Sequence, residues 1–247
     1  MNNEREKIVE IKGLCKRYGK ASEYTIEDIN IECYAGEIVG IMGKNGAGKS
    51  TTIKCLTGYF PFNEGEITIC GHNIKTDAVN AKMNLGYVPD TRPMFDKMTG
   101  YEYINFIADL HDVDVAVRQE RIDEMESKFK LGDSIYNMIS SYSHGMRQKI
   151  CLMASLIHRP KLWLLDEPLT GLDATTIEAL LKYMVDYKNQ GNTVFFCSHN
   201  LDVLDRICDR VYIIGKGRVK TSLTMEEFRL KYPNQKLAQV FMSEIED

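Results

Sequence analysis

The chain has 247 residues, 44% hydrophobic and 27% charged, which excludes a disordered or fibrous polymer and fits one globular domain or one domain with an inserted lobe. Its net charge of −4 excludes a global electrostatic pull toward nucleic acid. Seven cysteines stand singly, with no Cys-x-x-Cys pair, which argues against a disulfide framework or a zinc site and for a reducing compartment.

Taken in chain order, Lys7 to Ile11 alternates apolar and polar, as an edge strand does. Asp28 to Tyr34 alternates again, with Ile29, Ile31 and Cys33 on one side. Ala35-Gly36 reads as a turn, and Glu37 to Met42 is a short apolar run that breaks into glycines. Lys49 to Leu56 continues as a helix that Gly58 stops. Glu66 to Cys70 and Gly71-His72 to Ile74 form a strand and turn, and Leu85 to Val88 a brief strand ended by Pro89. From Thr99 to about His158 the period is helical: Tyr103, Phe106, Ile107 and Leu110 share one face, and Ile122, Met125 and Phe129 another. The expectation is a helical lobe inserted into a sheet domain. Strands resume at Leu162 to Leu165 and Thr193 to Cys197, with helices over Ala174 to Asn189 and Leu201 to Ile207. Val211 to Ile214 and Arg218 to Lys220 close as a hairpin-like pair, and a short helical tail follows Leu223. The opening residues lack the apolar stretch of a leader peptide, and no run approaches the roughly 18 apolar residues of a membrane span. Work at a membrane is therefore expected to go through a partner.

Two motifs carry chemistry. Gly43-Lys44-Asn45-Gly46-Ala47-Gly48-Lys49-Ser50 fits G-x-x-x-x-G-K-[ST] at every fixed position and stands between a strand and a helix, as that pattern requires. Phosphate oxygens need closely packed donors, which backbone N–H groups supply where side chains are absent, and the helix that follows points its positive end at them. The pattern predicts a nucleotide cradle of Gly43, Asn45, Gly46, Ala47, Gly48, Lys49, Ser50 and Thr51. Lys49 reaches the terminal phosphates and the Ser50 hydroxyl meets magnesium. The second motif is Leu162 to Leu165 followed by Asp166-Glu167, an apolar strand that delivers two acids to its carboxyl end, where ligands bind in open α/β sheets. Asp166 is expected on magnesium through water and Glu167 as general base toward the attacking water.

With Tyr142-Ser143-His144-Gly145-Met146 just ahead of that acidic strand, the chain resembles the ATP-binding subunit of an ATP-binding cassette (ABC) transporter over roughly residues 7 to 222. The five residues keep the serine and the second glycine of the family's Leu-Ser-Gly-Gly-Gln signature and depart at the other three positions. The resemblance implies an α/β P-loop NTPase fold with a mixed central sheet, an antiparallel β subdomain and a helical subdomain inserted at about 91–160. The ATP-binding domain would span 1–222 and a helical tail 223–247. It implies an ATPase with ATP and magnesium as ligands. Its expected partners are a second cassette, as homodimer or heterodimer, and a separate transmembrane permease that holds the subunit at the cytoplasmic face of the membrane.

The resemblance also assigns residues. Ser143 and Gly145 complete the ATP site of the opposing subunit, Tyr18 stacks on adenine, Asp173 in Gly171-Leu172-Asp173 lies at the subunit interface, and His199 contacts the γ-phosphate. Asp90 stands where the family often has a metal-sensing glutamine, as either a metal-site group or a solvated loop acid. The segments Arg92 to Thr99, Tyr142 to Lys149 and Lys236 to Phe241 are similar to the export branch, whose cargoes include peptides, antibiotics, lipids and ions. ATPases of the same family that act on nucleic acid or ribosomes usually join two cassettes or carry a long coiled coil. This chain has one cassette, no heptad run and no basic stripe, so no nucleic-acid partner is expected. A small-molecule kinase with the same loop lacks the signature and the histidine.

Overall fold

The computed structural model describes residues 5–19, 21–91 and 93–246, with side chains through 243. Arg92, the first residue of one export-like segment, lies outside them.

Two sheets stack over one apolar layer. The larger is mixed and six-stranded, in the order β10-β9-β3-β8-β7-β6. Strands β3 (Ile38–Met42), β6 (Leu85–Val88), β7 (Leu162–Asp166), β8 (Thr193–Cys197) and β9 (Arg210–Gly215) run parallel, and β10 (Arg218–Thr224) turns back along β9. Strands β3, β7 and β8 are buried at every position, because elements cover both faces. Their residues split by the two-residue period. Ile38, Met42, Trp163, Leu165, Val194 and Phe196 join the cluster under the helices, while Val39, Ile41, Leu164 and Phe195 join the cluster under the second sheet.

That second sheet is antiparallel, in the order β2-β1-β4-β5, from β1 (Lys7–Lys16), β2 (Ile26–Tyr34), β4 (Glu64–Ile69) and β5 (His72–Asn73). β1 is therefore interior, paired with both β2 and β4, and not the edge strand its opening alternation suggests. Its polar positions face outward from the sheet, not outward along an edge, a distinction that alternation does not contain.

Between adjacent strands β6 and β7 the chain leaves the sheet to form α3 (Gly100–Leu110), α4 (Val115–Phe129) and α5 (His144–Leu156). Helix α3 opens with a capping box, Thr99 accepting from the Glu102 N–H and Glu102 accepting from the Thr99 N–H. Ile122, Met125 and Phe129 of α4 are buried as their spacing predicts. For α3 the outcome differs. Its buried residues are Gly100, Ile104 and Ala108, while Tyr103, Phe106 and Ile107 are half-buried and Leu110 is 59% exposed. The helix carries more apolar surface than the core uses, because Gly100 sits tight against the Tyr142 hydroxyl and Ile150 of α5 and fixes which side turns inward. Of this surplus, Tyr103 and Ile107 face a groove of about 330 Å³ that Tyr59, Tyr87 and His111 also bound.

Helices α1 (Lys49–Leu56), α6 (Ala174–Asn189) and α7 (Leu201–Ile207) follow β3, β7 and β8, and a short α2 (Ala78–Met83) precedes β6. The tail forms α8 (Met225–Lys231) and α9 (Leu237–Glu246), with Leu237, Val240 and Phe241 buried and α9 packed on α7. No helix of the described residues is long and apolar enough to cross a membrane.

Trp163 is the largest fully buried side chain, and its indole N–H donates to the Ser155 hydroxyl at 2.9 Å. Trp163→Phe should cost about 1–2 kcal/mol, a lost buried hydrogen bond plus a small cavity, and Trp163→Ala about 3–5 kcal/mol. Urea unfolding of both variants measures the two steps.

Candidate functional site

The carboxyl ends of the parallel strands are level. Ile41 pairs with Cys197, and Cys197 with Asp166, so the segments that follow β3, β7 and β8 open onto one edge of the sheet. A cleft of about 300 Å³ lies there, lined by Asn45, Gly46, Gly48, Lys49, Ser50, Thr51, Asp90, Asp166 and Glu167, all expected from sequence.

Helix α1 is built to meet an anion. Its N-cap is Gly48, at φ 110°, which offers no side-chain acceptor, and its first turn holds no acid. In α3, α4, α5 and α6 one first-turn N–H is accepted by the side chain of Thr99, Asp114, Ser143 or Asp173. At α1 those donors and the positive end of the helix dipole are left for a ligand. A side chain at Gly48 would strike Ile26, with Cβ 2.4 Å from Cγ2, so glycine is needed for packing as well as for φ. Lys49 is buried, and its ammonium donates to the carbonyls of Gly43 at 2.6 Å and Lys44 at 3.2 Å. Ala47 closes the loop, its N–H on Lys44 and its carbonyl accepting from Gly217.

Opposite the loop stand the acids. The Glu167 carboxylate meets His199 Nδ1 at 2.8 Å, and the histidine is otherwise largely exposed at the mouth. Asp166 is buried, and burial first, then the nearby Asp90 and Glu167 charges, push its carboxyl up to about 6. Asp90 therefore stands close enough to be felt by Asp166, on the loop that leaves β6.

Tyr18 joins this site from β1's end, its hydroxyl 3.2 Å from Thr51 Oγ1 and its ring edge-on to Phe60. Ser143, Gly145 and Asp173 do not line the cleft. They gather about the Gly171 turn: a Cβ on Gly145 would lie 2.8 Å from the Gly171 carbonyl, and Asp173 caps α6 through the Thr176 N–H. Ser143 accepts from the Met146 N–H at 3.3 Å, capping α5. That bond uses an oxygen lone pair and leaves the hydroxyl proton for another acceptor.

A family model described as ABC transporter matches residues 26–170, from β2 through the acids and the turn after them. The chain belongs to the ABC transporter family. It is an ATP-binding subunit of that family. It is 32% identical to the uncharacterised ABC transporter ATP-binding protein YdbJ of Bacillus subtilis over 222 residues, covering 90% of this chain and 70% of that protein. It is 30% identical to the linearmycin resistance ATP-binding protein LnrL of the same organism over 212 residues, covering 86% and 68%. Among solved structures, an ATP-binding subunit of an ABC transporter superposes with a TM-score of 0.90 at 28% identity, covering 96% of this chain and 99% of that one. The dimeric cassette MJ0796 with ADP and phosphate superposes at 0.79 and 22% identity, covering 88% and 98%, a likeness of fold.

The ATP-binding subunit also lines its cleft with Thr25 and Cys197, which the motifs do not reach. Cys197 was accessible to strand register, as the last residue of β8 level with Asp166. Thr25 precedes β2 of the other sheet, and only the stacking of the sheets brings it in.

The Asp166 shift has a thermodynamic consequence. A carboxyl whose folded value, about 6, lies above its ordinary 3.8 favours the fold when protonated. Its contribution is therefore fully present below about 4 and is lost as pH rises through 6. In nucleotide-free protein with chelator, Asp166→Asn should be the more stable chain at pH 8, by roughly 1–3 kcal/mol, with the advantage vanishing near pH 4. Thermal unfolding of both chains across that range checks it.

Proposed function

We propose that this subunit powers export of a cargo by sandwiching ATP between two cassettes and passing the resulting motion to a separate membrane permease. The observation that carries the reading is the shared cleft, in which the uncapped start of α1, Lys49, and the Asp166–Glu167 pair with His199 converge. In this reading the loop from Gly43 to Thr51 holds the phosphates and Tyr18 holds the base. Glu167 accepts the proton of the attacking water, and His199, already bonded to Glu167, orients it and meets the terminal phosphate. Ser50, Asp166 and Asp90 supply hard oxygen donors suited to magnesium. These three side chains would hold the ion together with phosphate oxygens and water. When bound, the ion supplies charge neutralisation between phosphates.

Two half-sites on one chain support a sandwich with a second cassette, whether a copy of this chain or another cassette: the cleft, and the group of Ser143, Gly145 and Asp173 outside its lining. Apolar surplus on α3 supports the permease contact. The groove shares β6 with the nucleotide cleft, Leu85 and Tyr87 lining the groove and Asp90 the cleft, so a shift at Asp90 reaches it through two residues of chain. The export direction rests on the likeness to the linearmycin resistance protein and on the three export-like segments. On this reading residues 1–222 are the ATP-binding domain, residues 223–247 its helical tail, and the subunit sits peripherally on the cytoplasmic membrane face.

Lys49→Ala should abolish tight ATP binding, read by calorimetric titration, because the phosphates lose their buried point charge. Glu167→Gln should keep binding and lose hydrolysis by about 10²–10⁴-fold, as removal of a general base does. Wild-type turnover by Glu167→Gln would refute the assigned chemistry. For coupling, Ile107→Asp at the groove should leave ATP affinity and basal hydrolysis within about twofold of wild type, since it touches neither half-site, and should remove stimulation by the reconstituted permease. Full stimulation would move the contact elsewhere.

A further inference from the structure

The segment that carries Glu167 is bent against its own preference. Glu167 has a φ of 50°, in the left-handed region that residues other than glycine avoid. The residue after it is Pro168, which biases its predecessor toward extended backbone. Such a turn persists only when its surroundings over-determine it.

Three hydrogen bonds hold it. The Glu167 N–H donates to the Cys197 carbonyl at 3.0 Å, and the Thr170 N–H donates to the Glu167 carbonyl at 3.3 Å. These come from the neighbouring strand and from the turn itself. The third comes from α5, where the Gln148 side-chain amide donates to the Pro168 carbonyl at 2.7 Å. Gln148 is 0% exposed. Proline has no N–H, so this carbonyl is its only backbone hydrogen-bonding group, and inside the protein no water replaces the bond.

Gln148 stands in the second turn of α5, one turn after His144. The first turn presses on the other end of the same loop. A Cβ on Gly171 would lie 2.3 Å from the His144 ring, and one on Gly145 would lie 2.8 Å from the Gly171 carbonyl. Residues 168–171 are thus gripped at both ends by the start of one helix.

We propose that Gln148 is a positioning residue for ATP hydrolysis, its amide fixing the Pro168 carbonyl and through it the direction of the Glu167 carboxylate. The proposal rests on the reading of Glu167 as general base. Its consequence is that the posture of the base follows the first turns of α5, the helix that Ser143 caps toward the second cassette.

The test uses the full chain with Gln148→Met, which keeps length and removes the donor, and Gln148→Glu. Each is assayed for ATP affinity, kcat, KM and melting temperature. Gln148→Met should keep Kd and KM within about threefold and lose about 10–100-fold in kcat, the scale of a small misplacement of a catalytic group. In Gln148→Glu a protonated carboxyl donates to Pro168 and a carboxylate does not, and burial raises the pH at which it ionises. Its kcat relative to wild type should therefore climb as pH falls from 8 to 6, while the Gln148→Met ratio stays flat. In a Glu167→Gln background, Gln148→Met should have no further effect on kcat. Unchanged kcat, equal losses in ATP affinity and kcat, or a multiplicative loss in that background would each overturn the proposal. Should Gln148→Met fail to fold, the pH profile of Gln148→Glu decides alone. Full turnover by Glu167→Gln by itself would instead remove the base reading, a result distinct from any Gln148 outcome.

Discussion

Ile41, Cys197 and Asp166 stand level across three adjacent parallel strands, and the site depends on that register. Because β3 lies beside β8 and β8 beside β7, the glycine loop, the histidine turn and the acidic turn leave the sheet at one height. A slip of one residue in β7 would turn Asp166 to the opposite face and put Leu165 at the cleft. What fixes the register is apolar: β3, β7 and β8 are buried on both sides, with alternate residues committed to different layers. The layering that stabilises the fold also sets which atoms meet the substrate.

The cleft itself is costly to the folded chain. It leaves a helix start without a side-chain cap, buries an aspartate among other acids, and bends Glu167 into a left-handed turn. Each feature opposes folding, and on the proposed reading each serves the bound phosphates and their ion, as stability and function trade at active sites. On the proposed reading, nucleotide would relieve the first by supplying the anion that α1 lacks, and a divalent ion the second by supplying the positive charge that Asp166 lacks.

Much of this was legible in sequence because period and punctuation are local. The bounds of α1, β6, α6, β8 and α7 follow from apolar spacing and flanking glycine, and the phosphate loop from its fixed glycines. What failed was information held in pairing. The alternation of β1 is the same for an edge or an interior strand, and only β4 on its far side decides. On α3 the buried residues are Gly100, Ile104 and Ala108, while Tyr103, Phe106 and Ile107 are only half-buried and Leu110 is exposed. A periodicity that weighs size as burial misses the small Gly100 and Ala108. The short α2, with little apolar pattern, gave no signal. Thr25 and the Gln148–Pro168 bond join segments brought together only by the stacked sheets and the returning α5.

On the proposed reading one ATP site is completed by two chains, the cleft of one and the start of α5 of the other. Sedimentation of the Glu167→Gln subunit with saturating ATP and magnesium tests it most directly, with and without an added Ser143→Arg substitution. An ATP-dependent dimer is expected for Glu167→Gln, and a monomer that still binds ATP when Ser143→Arg is added. A dimer indifferent to Ser143→Arg would contradict that reading, and a monomer in both cases would contradict a sandwich of two copies of this chain.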